Sequence, residues 1–150
     1  MKPLASAKVA GAIASVLISS SAFATSVFIN EFHYDNDGGD VDEFIEIVAP
    51  EGTDLTGYSV VLYNGNNGAA YLTETLSGTV ASLGDGMGSY VINLPTNGIQ
   101  NGAPDGLALV DSNGQLIQFL SYEGSFTAIG GAADGITSVD IGIEETASTE

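Results

Sequence analysis

The residues best suited to chemistry form one acidic stretch, Asp35-Asn36-Asp37-Gly38-Gly39-Asp40-Val41-Asp42-Glu43. It holds five carboxylates in nine residues, and its two glycines allow the backbone to curve tightly. Calcium takes roughly six to eight oxygen ligands, and Glu46 follows Asp35 by eleven residues, the spacing of the last ligand in a calcium loop. The candidate calcium ligands are therefore Asp35, Asp37, Asp40, Asp42, Glu43 and Glu46.

The acidic stretch does not follow the EF-hand pattern. Its sixth position is Asp40 rather than glycine, and strands rather than helices are predicted on both sides. An ordinary solvated hairpin loop, with Asp37-Gly38 as turn residues, explains the same composition. The sequence leaves both interpretations open.

Three glutamates at predicted strand positions, Glu31, Glu43 and Glu46, could serve as acid and base in sugar hydrolysis. Strand alternation also places such residues on a solvent-facing side, which requires no catalytic role. His33 is the only histidine, and no Gly-x-Ser-x-Gly motif supplies a nucleophile for it. We expect no catalytic residue in this chain.

The charge distribution excludes one class of partner. Both basic residues, Lys2 and Lys8, lie within the first 24 residues, and all 19 carboxylates lie beyond them. Without Lys or Arg the remainder cannot neutralise phosphates, so no direct nucleic-acid binding is expected. The repulsion among carboxylates should be relieved by cations, through screening or binding. The chain has no cysteine, so it holds together by packing or by bound ions.

The first 24 residues have the pattern of a secretory signal peptide. The two lysines precede a short apolar stretch, and Ala22-Phe23-Ala24 is a small-x-small cleavage pattern. The apolar stretch is shorter than the roughly 20 residues that span a bilayer. The sequence therefore predicts cleavage near Ala24, a secreted, extracellular or periplasmic product, and no membrane span after cleavage.

The remaining chain predicts an all-β fold. Short apolar runs alternate with Gly, Asn and Asp, and no segment shows a helical period. In the first run, Val27 and Ile29 are predicted on one face, with Phe28, Phe32 and Tyr34 on the other. The predicted strands are 26–34, 44–48, 58–63, 70–76, 89–94, 106–111, 115–122 and a short one near 138–143, with a tight turn over 111–114.

Four stretches together carry a family resemblance. They are Ile29-Asn30-Glu31-Phe32-His33-Tyr34-Asp35-Asn36, Glu43-Phe44-Ile45-Glu46-Ile47, Asp54-Leu55-Thr56-Gly57-Tyr58-Ser59-Val60-Val61-Leu62-Tyr63-Asn64-Gly65 and Leu94-Pro95-Thr96-Asn97-Gly98-Ile99-Gln100-Asn101-Gly102-Ala103-Pro104-Asp105-Gly106. The combination resembles the secreted bacterial branch of the lamin tail domain family. The resemblance implies an immunoglobulin-like β-sandwich over 25–143. It also implies an accessory module that often precedes an extracellular nuclease of the endonuclease/exonuclease/phosphatase class.

Residues 144–150 are expected to be a tail. Because the family usually continues into a last strand and a further domain, we expect the frame to be truncated there and a catalytic domain to follow in a full-length parent.

The functional expectation is a non-catalytic accessory module whose partner is an extracellular protein or a glycan. Two alternatives stay open. One is a calcium-stabilised adhesion or glycan-binding module, suggested by the acidic stretch, and the other is a small acidic hydrolase using Glu31, Glu43 or Glu46.

Overall fold

The computed structural model describes residues 27–146, and the predicted signal peptide, 1–24, lies outside them. Alternating apolar residues and dense turn signals produce nine strands over this range. They are β1 (Phe28–His33), β2 (Phe44–Pro50), β3 (Ser59–Asn64), β4 (Ala69–Thr75), β5 (Ala81–Gly84), β6 (Met87–Asn93), β7 (Asp105–Val110), β8 (Leu116–Tyr122) and β9 (Val139–Asp140). No helix among residues 27–146 is long and apolar enough to cross a bilayer.

The strands form two sheets, which confirms the all-β prediction. One sheet has the order β1-β2-β6-β5 and the other the order β4-β3-β7-β8-β9. Neighbouring strands run antiparallel except β8 and β9, which are parallel. Both sheets contribute to one apolar core, an arrangement consistent with a β-sandwich.

The four-stranded sheet is buried on one side only. In β2 and the residue before it, Glu43, Ile45, Ile47 and Ala49 are fully buried, and the residues between them are half-buried. This is the period-two alternation of a strand with one face on a core. The predicted pairing of Ile45 and Ile47 on one face is confirmed.

The five-stranded sheet is covered on both sides. Every residue of β7 is buried, with Leu107 and Leu109 in the shared core and Ala108 and Val110 in a second cluster. The segment 123–138 lies over that second cluster and contributes Phe126, Ala128 and Ala133 to it. We call this segment the cover.

A bulge in β1 corrects the predicted facing of its residues. The register of β1 against β2 shifts between Ile29 and Glu31, so one extra residue, Asn30, is inserted there. As a result Phe32 packs on the same core as Ile29, and Tyr34 is buried there too, instead of on the opposite face.

Strand β5 was not predicted from sequence. It is only four residues long, Leu83 is its one large apolar residue, and all four residues are exposed, so the run has no alternating pattern. The turn that follows was not predicted either. Both of its residues, Asp85 and Gly86, have positive φ, 54° and 80°, as a two-residue hairpin requires.

Candidate functional site

The loops at one end of the two sheets border a polar pocket of about 450 Å³ that is open to solvent. The β1–β2 loop, the β6–β7 connection and the end of β3 all meet there. The lining residues are Gly38, Asp40, Asn64, Asn97, Ile99, Gln100, Asn101, Gly102 and Asp105. Because amide side chains dominate this wall, we call it the amide pocket.

Glu43 is the most deeply buried carboxylate beside this pocket. Its Oε2 accepts the Gly98 N–H at 2.6 Å, and its Oε1 accepts the Ile99 N–H at 2.9 Å. Burial raises the pKa of Glu43, and these two N–H bonds oppose the rise without cancelling it. The carboxylate therefore holds the β6–β7 connection in place from inside the fold.

Asp40 joins the acidic loop to the same connection. Its N–H donates to Asn97 Oδ1 at 3.1 Å, and its carbonyl accepts the Asn97 N–H at 2.9 Å. Its carboxylate accepts the Asn36 N–H at 3.0 Å and the Asn101 Nδ2–H at 3.3 Å. Asn97 has a φ of 55°, a conformation that asparagine tolerates better than most residues.

Asp105, at the start of β7, also accepts hydrogen bonds from main-chain N–H groups. It is 3% exposed, and its two carboxylate oxygens accept the Gly65 N–H at 2.8 Å and the Gly102 N–H at 3.0 Å. Burial raises its pKa against the effect of those two bonds. The carboxylates at the pocket wall therefore already accept hydrogen bonds from main-chain N–H groups.

The six predicted calcium ligands do not gather at one point. Asp37 and Asp42 are exposed, whereas Asp40 is buried and its oxygens are used as described. Asp35 Oδ1 accepts the Asn101 Nδ2–H at 3.4 Å.

Glu43 and Glu46 lie on opposite faces of the sheet, since they are three residues apart along one extended run. Among residues 27–146, no group of three or more His, Asp or Glu side chains is placed to hold a metal ion. Calcium binding stays a prediction.

The residues considered for catalysis are also separated. Glu31 and Glu46 are register partners on the outer face of the sheet, and Glu46 Oε1 accepts the Asn30 Nδ2–H at 2.8 Å. His33 Nδ1 lies 3.2 Å from Glu145 Oε1, and its Nε2 lies 2.8 Å from Asn36 Nδ2. The hydrogen-bond contacts of His33 are thus with a carboxylate and an amide, and neither is the serine or cysteine that a histidine activates in a catalytic triad.

Sequence reasoning missed the role of Glu145, which lies in the expected tail. Its Oε2 accepts the Tyr34 N–H at 2.6 Å and the Asp35 N–H at 3.0 Å, and its own N–H donates to Tyr34 Oη at 2.7 Å. This contact joins residues 111 positions apart. No local pattern in the sequence signals a contact over that distance.

The pocket residues of the β6–β7 connection were also missed as a group. In the sequence, Asn97-Gly98, Asn101-Gly102 and Asp105-Gly106 are typical turn dipeptides, and that composition does not indicate a shared pocket. The available signal was the density of amide side chains, with Asn97, Gln100 and Asn101 within five residues.

The fold and the site thus define a small all-β domain with a pocket of amides and carboxylates at its loop end. No protein-family model matches the chain, and no curated protein and no solved structure matches it either.

Proposed function

We propose that this chain is a non-catalytic accessory module of a secreted protein, and that the parent protein is an extracellular nuclease. The observation that carries the first part is the use of the buried carboxylates. Glu43 and Asp105 each accept two main-chain N–H bonds, and Asp40 accepts one. A general acid or base must direct a carboxyl oxygen at the substrate, whereas each of these groups directs its oxygens at hydrogen-bond donors of the fold.

The charge distribution supports the same conclusion for nucleic acids. Beyond Lys8 the chain has no Lys or Arg, so no side chain of that kind can neutralise a phosphate. A nuclease containing this module would bind its substrate through another domain. The module would then act by interaction with an extracellular protein or glycan.

The proposed architecture is an immunoglobulin-like sandwich of the lamin tail type. Two sheets of four and five strands around a shared core support it. The link to a nuclease rests on the sequence resemblance. Secretion is supported by the leader pattern.

The catalytic part of the proposal is tested with the chain exported by a bacterial host and recovered from its periplasm or medium. Plasmid DNA, RNA and a panel of chromogenic glycosides are incubated with the protein in Mg²⁺, Mn²⁺ or Ca²⁺. We expect no turnover above that of a mock preparation. Turnover that is lost in Glu43→Gln or Glu46→Gln would overturn the proposal.

The nuclease association is tested separately at the level of the gene. The genomic DNA following the codon for Glu150 is sequenced and translated in the same frame. A following domain with a metal-nuclease constellation is the expected result. A frame that opens instead into an unrelated domain, or that stops, would contradict the association while leaving the accessory role intact.

A further inference from the structure

Three amide side chains in the wall of the amide pocket have their orientation set by the fold. Asn97 Oδ1 accepts the Asp40 N–H at 3.1 Å, and Gln100 Oε1 accepts the Asn64 Nδ2–H at 2.6 Å. Asn101 is turned the other way, since its Nδ2 donates to Asp40 Oδ2 at 3.3 Å. One polar atom of each amide therefore makes a hydrogen bond within the protein.

The other polar atom of each amide therefore has a defined role as a hydrogen-bond donor or acceptor. Asn97 Nδ2 and Gln100 Nε2 can only donate, and Asn101 Oδ1 can only accept. None of these three atoms makes a hydrogen bond to another part of residues 27–146. The pocket wall therefore offers two donors and one acceptor, beside the carboxylate of Asp40.

The main chain beneath these groups is also held. The Gln100 N–H donates to Tyr71 Oη at 2.9 Å, and the Gln100 carbonyl accepts the hydroxyl of Tyr122. Both tyrosines lie on the five-stranded sheet or against the core. A wall fixed in this way loses little conformational entropy when a ligand binds, which favours affinity.

The charge around the pocket limits the ligand. Asp40 and Asp105 line it and Glu43 lies behind it, while the chain has no Lys or Arg beyond Lys8. The negative charge of these carboxylates disfavours phosphates, sulfates and carboxylates. A ligand without negative charge, rich in groups that both donate and accept hydrogen bonds, fits the wall best.

We propose that the amide pocket binds a neutral saccharide through a pair of adjacent hydroxyls. A hydroxyl both donates and accepts, so one can accept from Asn97 Nδ2 or Gln100 Nε2 while donating to Asn101 Oδ1. The pocket volume of about 450 Å³ lies within the range of small-molecule sites. This inference rests on the proposed accessory role and gives the module a ligand class.

The test is a titration of the ¹⁵N-labelled exported chain, followed by NMR. The probes are glucose, galactose, mannose, N-acetylglucosamine and xylose, their disaccharides, and glucuronate as the anionic comparison, each up to about 10 mM. The side-chain NH₂ signals of Asn97 and Gln100 report directly on the proposed donors. We expect saturable shifts of these signals with at least one neutral sugar, and weaker or no shifts with glucuronate.

A matched pair of substitutions locates the binding. Gln100→Glu keeps the oxygen that Asn64 donates to but replaces the free donor with an acceptor, so affinity should fall at least about tenfold. Gln118→Glu is the control, because it adds the same charge and keeps the oxygen that accepts the Ile29 N–H at 2.6 Å. It lies outside the pocket and should bind as the wild type does, and a folded ¹⁵N spectrum is required of both variants.

Three results would overturn the inference: no probe shifts the Asn97 or Gln100 side-chain signals, glucuronate binds as well as the neutral sugars, or Gln118→Glu weakens binding as much as Gln100→Glu. These results leave the non-catalytic role untouched. Conversely, turnover in the assays above would overturn that role, whether or not a sugar occupies the pocket.

Discussion

The buried carboxylate of Glu43 offers the sharpest test of how the loop end is held together. Glu43→Leu keeps a similar volume but removes both acceptors. The Ile99 N–H is then left without a partner inside the protein, whereas the Gly98 N–H keeps its second acceptor, the Pro95 carbonyl at 2.8 Å. One unsatisfied buried N–H costs about 1–3 kcal/mol, loss of the second bond from Gly98 adds to that cost, and removal of the buried charge offsets part of it. We expect a net destabilisation of about 2 kcal/mol at neutral pH. For a domain of this size that lowers Tm by roughly 5–10 °C.

The isosteric change Glu43→Gln separates the charge from the hydrogen bonds. Glutamine keeps one acceptor oxygen and resembles the protonated carboxyl, whose formation the raised pKa of Glu43 favours. We therefore expect the free energy of unfolding of Glu43→Gln to lie within about 1 kcal/mol of the wild-type value and to exceed that of Glu43→Leu. Glu46→Leu is the matched control on the outer face, where the loss should be under about 1 kcal/mol.

The sign of the pH dependence follows from the same group. Because the pKa of Glu43 is raised in the folded state, the folded protein binds the proton more tightly than the unfolded chain. Its contribution to stability is present below the ordinary carboxyl pKa and is lost as the pH rises through the folded-state value. The wild type should therefore melt at a higher temperature near pH 5 than at pH 8, and Glu43→Gln should show a smaller difference.

The assay for both effects is thermal and urea unfolding followed by circular dichroism at several pH values. The reasoning is refuted if Glu43→Leu is as stable as the wild type at neutral pH. It is also refuted if Glu43→Gln keeps the full pH dependence of the wild type, since the titrating group would then lie elsewhere.

Three further predictions follow from other parts of the molecule. Gly65→Ala should cost at least about 2 kcal/mol in urea unfolding, because its Cβ would overlap the Pro104 carbonyl oxygen and lie 2.8 Å from the Phe126 ring. Gly39→Ala, whose Cβ would have only a 3.9 Å contact, should be neutral, and equal stability of the two variants would contradict this packing. NaCl should raise Tm by screening a net charge of −17, and the predicted calcium loop requires a further rise with CaCl₂ at equal ionic strength that MgCl₂ does not give. Mass spectrometry of the exported chain should find Thr25 at the N-terminus, and retention of Lys2 would contradict the predicted leader.

The sequence was most informative where the signal is local. Period-two alternation predicted Ile45 and Ile47 on the core face, and Asp111-Ser112-Asn113-Gly114 predicted the β7–β8 turn. In that turn Gly114 N–H donates to the Asp111 carbonyl at 3.0 Å. Both features depend on neighbouring residues alone, so they can be read from a single sequence.

The sequence was least informative where the outcome depends on distant partners. The bulge at Asn30 reversed the facing of Phe32 and Tyr34, because register is set by the neighbouring strand rather than by β1 itself. The buried position of Glu43 could not be predicted either, since its partners, Gly98 and Ile99, are more than fifty residues away. A carboxylate with no distant donors would have been expected on the surface.

Because the cover lies on only one face of the five-stranded sheet, we expect different parts of the domain to open at different rates. Strands β3 and β7 are enclosed by the core on one side and by the cover on the other, so their amide hydrogens should exchange only when the whole domain unfolds. Strand β5 is an exposed edge with no buried residue, and it should exchange and be cleaved by proteases first. Between these limits, opening of the cover alone would expose the second cluster around Phe126 while the shared core stays closed. The backbone amides around the second cluster should therefore exchange on a different timescale from those around the shared core.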